Sequence, residues 1–274
     1  MGDDFKEDRE ACLERWVEVN DEDHDIIQRL YQGHRSPGFS GAKFAPDHEE
    51  TIYAFQKLVQ KSLQSEFDII KESHRLHGDP NALQNYYRGW ADTYDRDVCN
   101  ERYAGPRIIT DIAVLVADLC SLDRDAALMD AGCGTGLVGI ELSKAGFRNI
   151  AGFDLSEEMA IKAKNTKAYR AVTGNANITE LPSEVSKNSY DLVLCCGVFT
   201  TGHIEPEAFS HLLDLVKPGG HVIFSARRSY MNETNFEKRL DPVLTRAEAR
   251  IVLHLRNVAY IAEEGVDYWV VVAR

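Results

Sequence analysis

Residues 127–142, ALMDAGCGTGLVGIEL, set an acid at the end of an apolar run, a glycine-rich turn after it and an amphipathic stretch beyond. Gly132, Gly134 and Gly136 lack the Cβ that would block a tight turn and hold a ligand off the backbone, and a helix beginning near Thr135 would point free N–H groups at that ligand. Eighteen residues after Gly136 a second apolar run ends at Asp154, where a carboxylate can accept both hydroxyls of a ribose. The pair predicts a nucleoside-containing ligand. It does not choose among such ligands, because Gly134-Thr-Gly136-Leu-Val-Gly139 also fits the G-x-G-x-x-G fingerprint of dinucleotide sites.

Other residues are placed for chemistry, each with a plainer role beside it. His203 lies just past a fourth predicted strand, on the edge where open α/β sheets bind ligands, and it is the candidate base for a hydroxyl acceptor. A surface or hydrogen-bonding histidine is the alternative. Tyr86, Tyr87, Trp90 and Tyr94 can wall a ligand or simply be core, since Tyr87, Trp90 and Tyr94 share one face at helical spacing. Arg227 and Arg228 can clamp an acidic substrate group or stand as solvated loop charges. Cys195 and Cys196 end an apolar strand and read as core thiols. Tyr53 and Lys57 have the Y-x-x-x-K spacing of one dehydrogenase class, but they precede the glycine loop where that class places them after it.

These residues need a frame. From about residue 124, short apolar runs alternate with helical segments, which predicts a parallel sheet covered by helices on both faces. Five runs read as strands: Ala126–Asp130, Asn149–Asp154, Tyr169–Thr173, Tyr190–Cys196 and His221–Ala226. A helical stretch around 235–250 follows, and two strand patterns flanking Glu263-Glu264-Gly265 predict a terminal antiparallel hairpin. The expected architecture is a doubly wound, mostly parallel seven-stranded Rossmann-like sheet ending in that hairpin. Residues 1–80 read as a helical N-terminal extension, with Asp47 and Glu50 as a capping box and an apolar stripe from Ile52 to Ile70, and residues 81–274 as the ligand-binding domain.

Composition narrows the partners. The formal charge of -13 disfavours nucleic acid, whose phosphates would be repelled unless a local basic patch intervened. No apolar run approaches the roughly 20 residues of a membrane span, and MGDDFKEDRE is too polar for a signal peptide, so a cytoplasmic location is expected. The 6 cysteines contain no C-x-x-C pair, and no local spacing predicts a metal site.

DAGCGTG at 130–136 resembles motif I of the class I S-adenosylmethionine-dependent methyltransferases, and four further segments follow in that family's order. GFD at 152–154 resembles the ribose-binding acid, GNA at 174–176 the adenine turn, YDLVLCCGVFTTGH at 190–203 motif IV, and LVKPGGHVIF at 215–224 the turn and strand after it. Upstream, YYRGWADTYDRDV at 86–98 is similar to a segment of the methyltransferase-like proteins related to the one encoded in the Williams-Beuren syndrome chromosomal region. The resemblance implies S-adenosylmethionine as cofactor, held by Tyr87, Asp130, Gly132, Cys133, Gly134 and Gly136 on one side. Asp154, Leu155, Asn175, Ala176 and Cys196 complete the implied set, with Tyr87 near the methionine end. Many relatives carry Asp where this chain has Asn175, whose amide oxygen can still accept from an adenine amino group. Motif IV lacks the N-P-P-Y cluster of amino-methylating nucleic-acid enzymes, so the acceptor expected is a small molecule or a protein, with Tyr86 and Arg227 as candidate contacts and His203 as candidate base. The competing readings are a cofactor-binding regulatory protein without activity and, further off, a nicotinamide dehydrogenase.

Overall fold

The computed structural model describes residues 79–100, 103–261 and 264–274. The capping box at 47–50, the stripe 52–70 and the Tyr53/Lys57 pair lie outside the described residues. Two short helices come first, α1 (Pro80–Trp90) and α2 (Tyr94–Asn100), followed by α3 (Gly105–Leu119). The chain then alternates β1 (Leu128–Ala131), α4 (Leu137–Lys144), β2 (Ile150–Phe153), α5 (Glu157–Asn165), β3 (Ala171–Thr173), β4 (Tyr190–Phe199), α6 (Phe209–Leu215) and β5 (Val216–Arg227). Helices α7 (Arg228–Thr234) and α8 (Phe236–Arg246) lead into β6 (Arg250–Ile261) and β7 (Glu264–Val272).

The sheet order is β3-β2-β1-β4-β5-β7-β6. Strands β1 to β5 pair in parallel, while β7 runs antiparallel to both β5 and β6. The expected hairpin is therefore present, but its second strand inserts between β5 and β6. Successive residues of the central strands feed opposite cores, as buried strands covered on both faces must. On one side Met129, Val193, Val222, Phe224 and Trp269 pack with α6 and α8; on the other Leu128, Leu192, Leu194, Ile223 and Val270 pack with α3 and α4.

Several boundaries differ from the sequence reading; β4 runs on to Phe199 rather than Cys196, and β5 begins at Val216 rather than His221. The run Tyr87, Trp90, Tyr94 is not one helical face, because α1 stops at Trp90 and a turn at 91–93 precedes α2. Strand β3 starts at Ala171 rather than Tyr169, since the Tyr169 ring turns back onto the glycine loop.

Candidate functional site

The C-terminal edge of the sheet opens into a cleft at the β1/β4 crossover, where parallel sheets bind ligands. Its floor begins at the loop after β1. A Cβ at Gly132 would lie 2.5 Å from Val198 Cγ2, and one at Gly136 would lie 3.0 Å from Ala163 Cα, so these two glycines serve close packing of the loop. Gly134 differs. Its φ of +52° is left-handed, it lines the cleft, and a Cβ there would meet nothing within 4 Å. It is the position where a backbone faces open space with no side chain to fill it.

Asp154 follows β2 directly, and Ser156 caps α5 by accepting from Met159 N at 3.3 Å. The strand end and this cap fix the carboxylate between them. Asp154 Oδ2 accepts from Gly134 N at 2.8 Å and Oδ1 from Ser156 N at 2.9 Å. Burial pushes the carboxyl up to about 6, against the pull of those two N–H groups. Next to it Leu155, Met159, Ala176 and Ile178 form an apolar slot with Asn177 at its border. The slot's walls are mostly apolar, as a nucleobase requires, and the adjacent carboxylate and bare backbone suit a ribose and a chain leaving it. The residues present therefore fit a nucleoside cofactor.

Asp130 sits beneath the loop, fully buried and outside the cleft lining. Tyr169 Oη donates to its Oδ2 at 2.6 Å and accepts from Gly139 N at 2.9 Å. Burial pushes Asp130 up to about 7, the Tyr169 hydrogen bond pulls it down and the Asp154 charge adds to the rise. Tyr169 escaped the sequence reading, although three glycines at 136, 139 and 152 point to a ring there: a Cβ at any of them would crowd it.

The rest of the cleft is aromatic. Helices α1 and α2 contribute Tyr87, Trp90 and Tyr94, with Tyr87 and Trp90 stacked at 19° and Trp90 edge-on to Tyr94. Hydrogen bonds seat these helices over the loops. Gln84 Nε2 donates to Leu155 O at 3.1 Å, and Thr135 Oγ1 donates to Asp95 Oδ1 at 2.5 Å. Tyr87 Oη lies 2.6 Å from His203 Nε2, and His203 Nδ1 lies 3.1 Å from Thr201 O. A carbonyl only accepts, so this pairing assigns the histidine proton to Nδ1 and leaves Nε2 as the acceptor for Tyr87.

At the far end Tyr103, Tyr260, Cys196 and Arg227 converge. Tyr103 Oη lies 3.0 Å from Tyr260 Oη and 3.4 Å from Cys196 Sγ. Gly197, at φ +77°, lets both phenols approach the end of β4; a Cβ there would lie 2.8 Å from one hydroxyl and 3.1 Å from the other. Arg227 is the last residue of β5, 9% exposed, with its guanidinium carbon 5.4 Å from the Tyr260 ring centroid. It is not a solvated loop charge. Arg228 beside it is half-exposed and lies 3.6 Å from Asp267.

Of the residues singled out from the sequence, Tyr87, Gly132, Gly134, Asp154, Leu155, Ala176, Cys196, His203 and Arg227 line the cleft. Asp130, Cys133, Gly136, Asn175 and Tyr86 do not. Cys133 is buried behind the loop, and Tyr86 stands half-buried at 5.6 Å from the Tyr87 ring. Asn175, at φ +51°, is turned outward and exposed. Its Oδ1 accepts from Gln84 at 2.6 Å and its Nδ2 donates to Glu157 at 2.9 Å, so Asn177 takes the polar place in the slot. Away from the cleft, Glu237, His254 and Asp267 converge within 4.8 Å, a cluster that the spacing in sequence did not announce. Asp267 there is already engaged by His254 Nε2 at 2.8 Å and Asn257 N at 2.8 Å. The five described cysteines are free thiols. No helix among the described residues is long and apolar enough to cross a membrane.

A sheet of this order, with a nucleoside-fitted cleft at its crossover, defines a class I methyltransferase fold, and comparison with known proteins agrees. Residues 128–220 match the family described as methyltransferase domain. Human "Methyltransferase-like protein 27" is 31% identical over 174 residues, covering 63% of this chain and 69% of that protein. The chain belongs to the class I S-adenosylmethionine-dependent methyltransferases. A "Ubiquinone biosynthesis O-methyltransferase" from Hydrogenovibrio crunogenus is 32% identical over 39% of this chain and 45% of its own length. Among solved structures, magnesium protoporphyrin IX methyltransferase from Synechocystis superposes with TM-score 0.52 at 20% identity, covering 72% of this chain and 100% of that one. A methyltransferase from Clostridium acetobutylicum gives 0.53 at 17% identity, covering 68% and 98%. These two show the fold. A second family, ring hydroxylating alpha subunit (catalytic domain), matches residues 1–65, outside the described residues. The dehydrogenase reading falls away.

Proposed function

We propose that the cleft binds S-adenosylmethionine with its ribose on Asp154 and its methionine end over Gly134, and that a small-molecule acceptor enters beside Tyr87 and His203. The observation that carries this reading is the junction of Gly134 and Asp154: a carboxylate locked by backbone N–H groups next to a residue whose missing side chain leaves the cleft open. The base lies in the slot of Leu155, Ala176 and Ile178, with Asn177 rather than Asn175 as its polar neighbour. Asp130 acts through Tyr169, holding the glycine loop from beneath.

The bound cofactor supplies a methyl group on a sulfonium that departs as a neutral thioether. The protein's share is to position the acceptor in line and, for a hydroxyl acceptor, to take its proton. His203 Nε2 is the acceptor for that proton, since Nδ1 already donates to Thr201 O. At rest Tyr87 Oη occupies Nε2, so an incoming hydroxyl either displaces the tyrosine or passes its proton through it. The raised Tyr94 and Tyr103, deprotonated with difficulty because they are buried, wall the site without competing as bases.

We place the catalytic domain at 81–274, with residues 1–80 as an extension, and assign the chain to the cytoplasm and to the narrower group of Williams-Beuren-region methyltransferase-like proteins. The match to "Methyltransferase-like protein 27" supports the last point, as does the use of segment 86–98 as one wall of the cleft. Calorimetric titration with S-adenosylmethionine, S-adenosylhomocysteine and NAD tests the central reading. Binding of the two sulfur nucleosides without NAD is expected; NAD alone, or none of the three, would overturn it.

A further inference from the structure

Helix α1 reaches the nucleobase slot through one side chain. The amide nitrogen of Gln84 lies 3.1 Å from Leu155 O and 2.6 Å from Asn175 Oδ1. Leu155 belongs to the loop after β2 and Asn175 to the turn after β3; Leu155 and the residues just past Asn175, Ala176 to Ile178, wall the slot. The backbone ties these two segments together where Ala176 N donates to Asp154 O at 2.9 Å. Gln84 bridges them a second time, from the helix that carries Tyr87 and Trp90 into the cleft. An ion pair of Arg88 with Glu158 at 2.7 Å seats the same helix on α5.

The polarity of this bridge follows from a single carbonyl. Leu155 O can only accept, so the Gln84 group facing it is the NH2, and the second hydrogen of that group goes to Asn175 Oδ1. With its oxygen so used, Asn175 turns its own NH2 to Glu157 Oε2 at 2.9 Å, where a carboxylate accepts it. Residue 175 must therefore accept on one side and donate on the other. An amide meets that requirement and a carboxylate does not: it would set two negative groups against each other at the Glu157 contact with no hydrogen between them. The backbone adds no preference, since Asn and Asp both tolerate the left-handed φ of +51° found here. Gly174 leaves the room, because a Cβ there would overlap the Glu157 carboxylate.

We infer that Gln84, Asn175 and Glu157 form a clasp that sets the walls of the base slot and couples them to helix α1. None of the three lines the cleft, so they are positioning residues for the cofactor. The inference rests on the cofactor pose proposed above. A slot held by matched donors and acceptors can be broken by one mismatch and mended by a second, which a wall held by packing alone cannot.

The test titrates the full chain with S-adenosylhomocysteine and with 5′-methylthioadenosine, which carries the base and ribose without the amino-acid portion, and records the melting temperature of each variant. Asn175→Asp should weaken both nucleosides on the order of fivefold at low salt, and less at high salt, where exposed charges are screened. Adding Glu157→Gln to that variant supplies an amide donor for the new carboxylate and should restore both affinities to within about twofold. Gln84→Leu removes both donations and should weaken both nucleosides on the order of fivefold. Tighter or unchanged binding by Asn175→Asp, no recovery in the double variant, or a loss confined to S-adenosylhomocysteine would overturn the inference. So would lowered melting temperatures with affinities unmoved, the mark of a purely structural role. If the unmodified chain binds neither nucleoside, the cofactor pose itself fails and the clasp with it.

Discussion

The two ends of the cleft are built in opposite ways. The proposed cofactor end is local: Gly132, Gly134 and Asp154 fall within 23 consecutive residues, directly after two adjacent strands joined by one helix. The proposed acceptor end gathers Tyr94, Cys196, Arg227 and Tyr260 from four distant parts of the chain, and Tyr260 arrives because β6 returns beside β7. A ligand shared by a whole family can be met by one short loop and a carboxylate, whereas an acceptor peculiar to one enzyme is met by whatever the outer strands and leading helices bring over the top.

The comparison breaks most directly at Gly134. Gly134→Arg sets a long side chain into the open cleft, and it should weaken S-adenosylhomocysteine binding at least about 100-fold by calorimetry, roughly 2.7 kcal/mol, while the far-UV spectrum stays folded. Retained affinity would show that the cofactor does not cross this loop. Asp154→Ala should cost about 1 to 3 kcal/mol of cofactor binding, because the ribose loses a hydrogen-bonded carboxylate.

Titration separates binding from folding. Below about 6 Asp154 takes up a proton and loses acceptor capacity, so affinity for S-adenosylhomocysteine should fall on the order of tenfold from pH 7 to pH 5. The apo fold responds in the other direction. Asp130 and Asp154 are raised from 3.8 to about 7 and about 6, so the folded chain holds more protons than the unfolded one between those limits. Their contribution to stability is full below about 4 and is lost as pH rises toward 7. Asp130→Asn should flatten the apo melting temperature against pH across that window; an unchanged slope would mean that Asp130 is not the group responsible.

At the acceptor end the effects are smaller and leave the cofactor alone. Tyr260→Phe removes the hydroxyl pair with Tyr103 and should destabilise the fold by about 1 kcal/mol, read from denaturant midpoints, with S-adenosylhomocysteine affinity within about twofold. A large loss of cofactor affinity would erase the distinction between the two ends. Removing residues 1–46 should change cofactor affinity least of all, and complete loss in a folded truncation would place part of the site in that segment.

The glycine loop, Asp154 and the strand ends were legible in the sequence because their chemistry is fixed by backbone geometry over short spans. Asn175 stands outside the cleft lining for a local reason: a left-handed turn at that residue sends its side chain out to Gln84 and Glu157. Tyr169 was missed because its partners, Asp130 and Gly139, lie 39 and 30 residues away. Arg227 was legible as a charge but not as a buried one, since burial depends on β7 pairing along β5 up to Val266.

What the sequence by itself determined is the alternation of strands and helices, the family and the glycine-rich turn after the first strand, since each is encoded in residue types at short, repeated spacings. The tertiary structure decided which aromatic rings share a cleft, which glycines face open space rather than a neighbouring ring, and that one arginine stands inside. Those outcomes follow from strand order and helix docking, which bring together residues whose separation along the chain carries no trace of their contact.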